Sequence, residues 1–215
     1  MKYLVANWKA HMSLKDLEDW LLVFKENMKP QHGQTAIILA ASAPHLSAVK
    51  EAITGLANVY CAAQSVSAEK DGSFTGEVTA QALEGLASYC IVGHSERRSR
   101  GETKDQIDLQ LQNLKTSGIT PILCIRGLED FPSGYTGMVA LERPEAIGTG
   151  SGTAVVEVMD VYNKLNLSAD SIFLYGASVD ENNCKEYLAN PEIVGFLVGT
   201  ASLDPRQFIK IAEKL

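Results

Sequence analysis

The sequence predicts an α/β fold, a closed (β/α)8 barrel with the helix after its fifth strand shortened or missing. Three observations lead there. Short runs rich in apolar and β-branched residues recur along all 215 residues. These runs are near-continuously hydrophobic rather than alternating, which marks strands covered on both faces, as in parallel sheets. Stretches with helical spacing separate most of them, and eight strands in this length leave about 27 residues per unit, enough for a strand, a helix and two short loops. On pattern alone a doubly wound open sheet competes with the barrel.

The first run is Tyr3–Ala6. Ser13 then suits an N-cap, with Leu14, Leu17, Leu21 and Phe24 following on one helix face. Ala36–Ala40 is the second strand, followed by a helix over Pro44–Ile53. Val59–Ala63 is the third, followed by a helix over Glu77–Leu86. Tyr89–Val92 leads to a helix over Glu102–Lys115. The fifth strand, Ile119–Ile125, breaks the rhythm. Gly127, Pro132, Gly134 and Gly137 crowd the segment before the next strand and predict a loop or a single turn there. Met138–Leu141 is the sixth strand, with a helix over Thr153–Leu165. Ile172–Tyr175 and Phe196–Val198 are the seventh and eighth, with helices over Glu181–Leu188 and Pro205–Lys214. No linker, charge block or low-complexity segment divides the chain, so residues 1–215 read as one barrel domain.

Hydrophobic residues make up 46% of the chain and charged residues 21%, as in globular proteins. The net charge of −7 argues against nucleic-acid binding, which needs a basic face, while leaving room for a small anion held by local groups. No run of 18 apolar residues predicts a membrane span, and the start of the chain lacks the apolar run and cleavage site of a signal peptide. Cys61, Cys90, Cys124 and Cys184 show no CxxC spacing and lie in or beside apolar stretches. They read as reduced, buried thiols of a cytoplasmic protein.

In such a barrel the functional groups gather where strands end. After the first strand come Asn7 and Lys9, two apart and so on one side of an extended chain. An amide and an ammonium there suit an anionic, oxygen-rich ligand; a solvated lysine is the plainer alternative. After the fourth strand comes Gly93-His94-Ser95-Glu96-Arg97-Arg98. Ser95 as the cap of a short helical turn would place positive helix-end potential by the imidazole and favour a neutral ring, able to donate to a carbonyl. Glu96 is either a supporting hydrogen-bond group or the ion-pair partner of Arg97 or Arg98. Glu142 ends the sixth strand. A carboxylate in a barrel mouth is costly to desolvate, which makes it a candidate general base, the alternative being a rim carboxylate paired with Arg143. Residues 143–152 combine a rigid Arg143-Pro144 front with a glycine-rich back, as a hinged lid would, although a plain loop fits too. After the seventh and eighth strands the chain nearly repeats itself, Phe173-Leu174-Tyr175-Gly176-Ala177-Ser178 against Phe196-Leu197-Val198-Gly199-Thr200-Ala201-Ser202. Glycine at both turns lets backbone N–H groups approach an anion, the setting of a phosphate site.

These segments together resemble the triosephosphate isomerase family along nearly the whole chain. Asn7-Trp8-Lys9 is similar to that family's first strand, Phe74-Thr75-Gly76-Glu77 to the end of its third loop, and Val92-Gly93-His94-Ser95-Glu96-Arg97-Arg98 to its most specific signature. Glu142 with Ala146-Ile147-Gly148-Thr149-Gly150 resembles its base and lid. Tyr175-Gly176-Ala177-Ser178-Val179 and Gly199-Thr200-Ala201-Ser202-Leu203 resemble its phosphate grip. The resemblance implies interconversion of dihydroxyacetone phosphate and D-glyceraldehyde 3-phosphate through an enediolate, in glycolysis and gluconeogenesis. Glu142 would be the base, His94 the electrophile, Lys9 with Asn7 the stabiliser of the enediolate, and Glu96 a supporting residue. Backbone groups at Gly148, Ser178, Gly199 and Thr200 would hold the phosphate. It implies no metal and no organic cofactor. It also implies a homo-oligomer, a dimer or a tetramer, paired through the loop from about Gln64 to Glu77.

The chain departs from that family in places. It is short, its lid front reads Arg143-Pro144-Glu145, as in the compact archaeal-type branch, and Ala177 and Thr200 stand where glycines are usual. Thr200 therefore needs φ below zero or must accept strain. Two alternatives stay open on the sequence: another phosphosugar isomerase, and a catalytically inactive barrel with a binding or scaffold role.

Overall fold

The computed structural model describes residues 1–28, 35–143 and 153–215. Eight parallel strands among them pair in chain order: β1 (Lys2–Asn7), β2 (Thr35–Ala41), β3 (Val59–Ala63), β4 (Tyr89–Val92), β5 (Thr120–Ile125), β6 (Met138–Leu141), β7 (Ile172–Tyr175) and β8 (Gly195–Val198). β8 pairs back onto β1 and closes the barrel. The seam explains Gly195, whose register partner is Tyr3. A Cβ there would collide with the Tyr3 carbonyl oxygen, so only glycine lets the last strand dock on the first.

Two apolar layers follow from strand alternation. Val5, Ile38, Ile91, Ile122, Met138 and Leu174 fill the barrel interior. Leu4, Ile37, Leu39, Val92, Leu123 and Phe173 face outward under the helices. With both faces covered, no strand has a polar side to show, hence the continuous apolar runs.

The helices are α1 (Leu14–Asn27), α2 (Leu46–Ala52), α3 (Ser95–Ser99), α4 (Lys104–Thr116), α5 (Val155–Leu165), α6 (Cys184–Leu188) and α7 (Pro205–Ala212). Ser13 caps α1 in a reciprocal box with Asp16. The buried stripe of α1 is Leu17, Trp20, Leu21 and Phe24: three residues of the expected face are in it, Trp20 joins them, and Leu14, 52% exposed, does not. The helix expected over Pro44–Ile53 divides into a 3-10 turn, Ala43–His45, and α2. The helix expected over Glu77–Leu86 is absent; a 3-10 turn, Gln81–Leu83, stands in its place. Gly76 and Gly85, both at positive φ, break the chain on either side, and the Val78 carbonyl is taken by the Ser67 N–H rather than by a helical partner.

After β5 there is only a 3-10 turn, Leu128–Asp130, as the glycines and Pro132 predict. Charge secures this thin region. Buried Arg98 of α3 donates to the carbonyls of Gly93 and Cys124, at 2.7 and 3.1 Å, and lies 3.3 Å from Asp130. Arg126 adds a two-pronged pair to the same carboxylate, at 2.7 and 2.9 Å. Burial pushes the Asp130 carboxyl up, but the Arg126 hydrogen bonds and the Arg98 charge outweigh it and hold it below the ordinary aspartate value.

Candidate active site

A cavity of about 300 Å³ opens at the carboxyl ends of the strands. Asn7, Lys9, His94, Glu142, Ser178, Gly199 and Thr200 all line it. Glu96 stands just behind, touching both Lys9 and His94. Gly148 and the glycine-rich part of the lid expected over 143–152 lie outside the described residues. Asp180 and Gln207 also line the cavity. Asp180 comes from the loop after β7 and Gln207 from α7, and no sequence motif marks Gln207.

Asn7 is the last residue of β1. Its Oδ1 accepts the Lys9 backbone N–H at 3.1 Å. Lys9 itself has left the strand: its φ of 53° is left-handed, a costly conformation for a residue with a Cβ. Asn7 and Lys9 therefore share the cavity because the backbone turns, not because an extended strand alternates. The Lys9 Nζ donates to Glu96 Oε1 at 2.7 Å and lies close beside Gly199. Partial burial pushes the Glu96 carboxyl up, while the Lys9 hydrogen bond and charge prevail and hold it below the usual glutamate value.

The cap of α3 is His94, not Ser95. The His94 Nδ1 accepts the Glu96 backbone N–H at 3.2 Å. A nitrogen that accepts carries no proton, so the neutral ring holds its hydrogen on Nε2. Nε2 lies 2.7 Å from Glu142 Oε1. The Ser95 backbone N–H donates to the other oxygen, Oε2, at 2.8 Å. Glu142 is 1% exposed and His94 6%, so this pair sits in a dry corner where each polar atom needs its partner. Beneath them lies Cys124, fully buried; burial, reinforced by the Glu142 charge, pushes its thiol far above the ordinary range and keeps it protonated. Among the described residues no group of three or more His, Cys, Asp or Glu side chains could hold a metal ion.

The other end of the cavity is formed by the turns after β7 and β8. Ser178 has a φ of 48°, and its carbonyl accepts from Asn183 Nδ2 at 2.8 Å. The Asp180 carboxylate takes the N–H groups of Asn182 and Asn183, at 2.7 and 3.0 Å, which fixes the loop after β7. After β8, Gly199 leads into a 3-10 turn, Thr200–Ser202. Thr200 is not among the left-handed residues, so it starts that turn without the strain a threonine would suffer at positive φ.

The triosephosphate isomerase family model matches residues 2–130 and 127–215 of the chain. A triosephosphate isomerase of a Synechococcus strain is 34% identical over 239 positions, covering 98% of this chain and 93% of that protein. That of a Synechocystis strain is 30% identical, with 98% and 97% covered. That of Nostoc punctiforme is 31% identical, with 98% and 96% covered.

Proposed function

The chain belongs to the triosephosphate isomerase family, and on that premise we propose how its own side chains divide the work. Its activity is the interconversion of dihydroxyacetone phosphate and D-glyceraldehyde 3-phosphate, an aldose–ketose isomerisation. The observation that carries the division of roles is the His94 pair of bonds: Nδ1 accepting from Glu96 N–H, Nε2 facing Glu142.

A neutral imidazole with its hydrogen on Nε2 donates to a carbonyl oxygen placed in the cavity. That oxygen replaces Glu142 Oε1 as the partner of Nε2, and the freed carboxylate oxygen takes the proton from the carbon beside the carbonyl. The electron pair of the broken C–H bond moves into the new C=C bond, and the carbonyl oxygen becomes an enediolate oxygen. His94 moves a proton between the two oxygens, and Glu142 returns its proton to the neighbouring carbon. The Lys9 ammonium, steadied by Asn7 and Glu96, offsets the negative charge that develops. Backbone N–H groups around Ser178, Gly199 and Thr200 hold the phosphate, with Gly148 joining them on the strength of the family resemblance.

The oligomer implied by the family resemblance would pair through the loop from about Gln64 to Glu77, where Phe74 is exposed. Four free, buried cysteines suit a reducing cytoplasm. Among the described residues no helix is long and apolar enough to cross a membrane.

The test is turnover of glyceraldehyde 3-phosphate in a coupled dehydrogenase assay, wild type beside Glu142→Asp. Shortening the side chain by one methylene withdraws the base while leaving a carboxylate in place, and kcat is expected to fall by about 10²-fold or more. A folded wild type without turnover would point to the inactive-barrel alternative. Equal rates in the two proteins would remove Glu142 from the role of base.

A further inference from the structure

Trp8 and Trp20 are the only two tryptophans in the chain, and both are buried. Their indole N–H groups donate to one and the same oxygen, the Ser202 carbonyl, at 3.2 and 2.9 Å. A carbonyl oxygen offers two lone pairs, and here both are used. The rings meet edge to face, with centroids 4.8 Å apart. Trp8 lies between Asn7 and Lys9 at the end of β1. Trp20 arrives from α1, stacked on Phe24 at 5.0 Å and packed against Phe208 of α7.

Ser202 passes this constraint towards the cavity. Its backbone N–H and its Oγ both donate to the Gly199 carbonyl, at 2.8 and 2.6 Å. The C=O and N–H of a trans peptide point in opposite directions. Drawing the Gly199 carbonyl towards Ser202 therefore aims the Thr200 N–H the other way, and Gly199 and Thr200 are cavity-lining residues while Ser202 is wholly buried.

We propose that Trp20 is a positioning residue for the anion-binding turn: with Trp8 it holds Ser202, and through Ser202 it directs the Thr200 N–H at the substrate phosphate. This rests on the phosphate assignment made above. Trp8 alone ties the turn to the adjacent strand β1. Trp20 ties it to α1, so strand, helix and turn share one oxygen, and the donor is aimed before substrate arrives. A tryptophan that merely packed would affect stability and leave phosphate affinity alone; a positioning tryptophan affects both.

The experiment compares wild type with Trp20→Phe, which keeps an aromatic ring and removes the N–H. The Kd of inorganic phosphate is measured by titration calorimetry, and KM and kcat with glyceraldehyde 3-phosphate. Kd and KM are expected to rise about three- to tenfold, the span of one net hydrogen bond, with kcat within twofold. In the wild type, phosphate is also expected to change tryptophan emission saturably, with the calorimetric Kd, because both fluorophores sit on the turn. Should Trp20→Phe not fold, Ser202→Ala removes the 2.6 Å bond to Gly199 while keeping the doubly held carbonyl, and the same rise is expected. Unchanged Kd and KM in the folded variant overturn the proposal, whatever its melting temperature. A wild type that binds no phosphate overturns the phosphate assignment as well; one that binds it as tightly as Trp20→Phe does overturns the role of Trp20 alone.

Discussion

The two ends of the cavity are made of different material. At the β4–β6 end the groups are side chains, His94 and Glu142, buried and locked by Glu96 N–H and Ser95 N–H. At the β7–β8 end the proposed groups are peptide N–H donors of short turns, and the turns themselves are held by Asn183, Asp180 and Ser202. A side chain is a chemical identity and has no substitute. A backbone donor survives any substitution that preserves the local conformation. On the proposed roles, that difference lets an alanine and a threonine, Ala177 and Thr200, stand in the anion-binding turns, while proton transfer needs the imidazole of His94 and the carboxylate of Glu142.

The comparison breaks first, and by the largest margin, at His94. In His94→Gln an amide remains but no ring nitrogen accepts from Glu96 N–H while a second donates into the cavity. Loss of a general acid–base group predicts a fall in kcat of about 10²- to 10⁴-fold. The proposed phosphate end is untouched, so KM is expected to change much less, within about fivefold. Steady-state kinetics with glyceraldehyde 3-phosphate separates the two. A KM that rises as far as kcat falls would show the two ends acting as one unit.

A smaller effect, on stability rather than rate, comes from the cluster under the side-chain end. Asp130→Ala leaves the buried Arg98 guanidinium without its charge partner, which predicts a loss of about 3–5 kcal/mol in urea unfolding. The pH dependence follows from the depressed Asp130 carboxyl. A carboxyl lowered by folding contributes stability that is fully present above its unfolded value of about 3.9. That contribution is lost as pH falls through the lower folded value. Acid unfolding of Asp130→Asn is therefore expected to show a shallower loss below pH 4 than the wild type. Parallel acid limbs would mean that Arg98 and Arg126 do not stabilise the carboxylate.

The same contrast decides what could be read in the sequence. Val59–Ala63, Tyr89–Val92, Met138–Leu141 and Ile172–Tyr175 were legible to the residue, because a strand covered on both faces writes an unbroken apolar run. His94 and Glu142 were legible because the roles proposed for them belong to their side chains. The turn after β8 showed only as a glycine pattern. Nothing local shows that its hold comes from Trp20, 182 residues away. The α1 stripe read as Leu14, Leu17, Leu21 and Phe24 missed that tryptophan, since periodicity counts apolar residues and cannot see an indole N–H seeking an oxygen. The helix expected over Glu77–Leu86 failed for a related reason: the Ser67–Val78 bond that competes with it joins residues that no helical window spans together.

The smallest predicted effect is the sharpest check on the backbone end. Thr200 opens the 3-10 turn without left-handed strain, and its proposed contribution is its N–H. Thr200→Gly keeps that N–H and removes the hydroxyl and methyl. If peptide groups alone hold the phosphate, KM for glyceraldehyde 3-phosphate stays within about twofold, since no net hydrogen bond is lost. Glycine also frees the unfolded chain, so a loss of roughly 0.5–1 kcal/mol in stability is expected alongside the unchanged KM. A tenfold rise in KM would mean that the threonine hydroxyl, not its peptide group, meets the anion. The β7–β8 end would then rest on side-chain identity as the β4–β6 end does, and the threonine there would be a gain of a donor rather than a tolerated replacement of glycine.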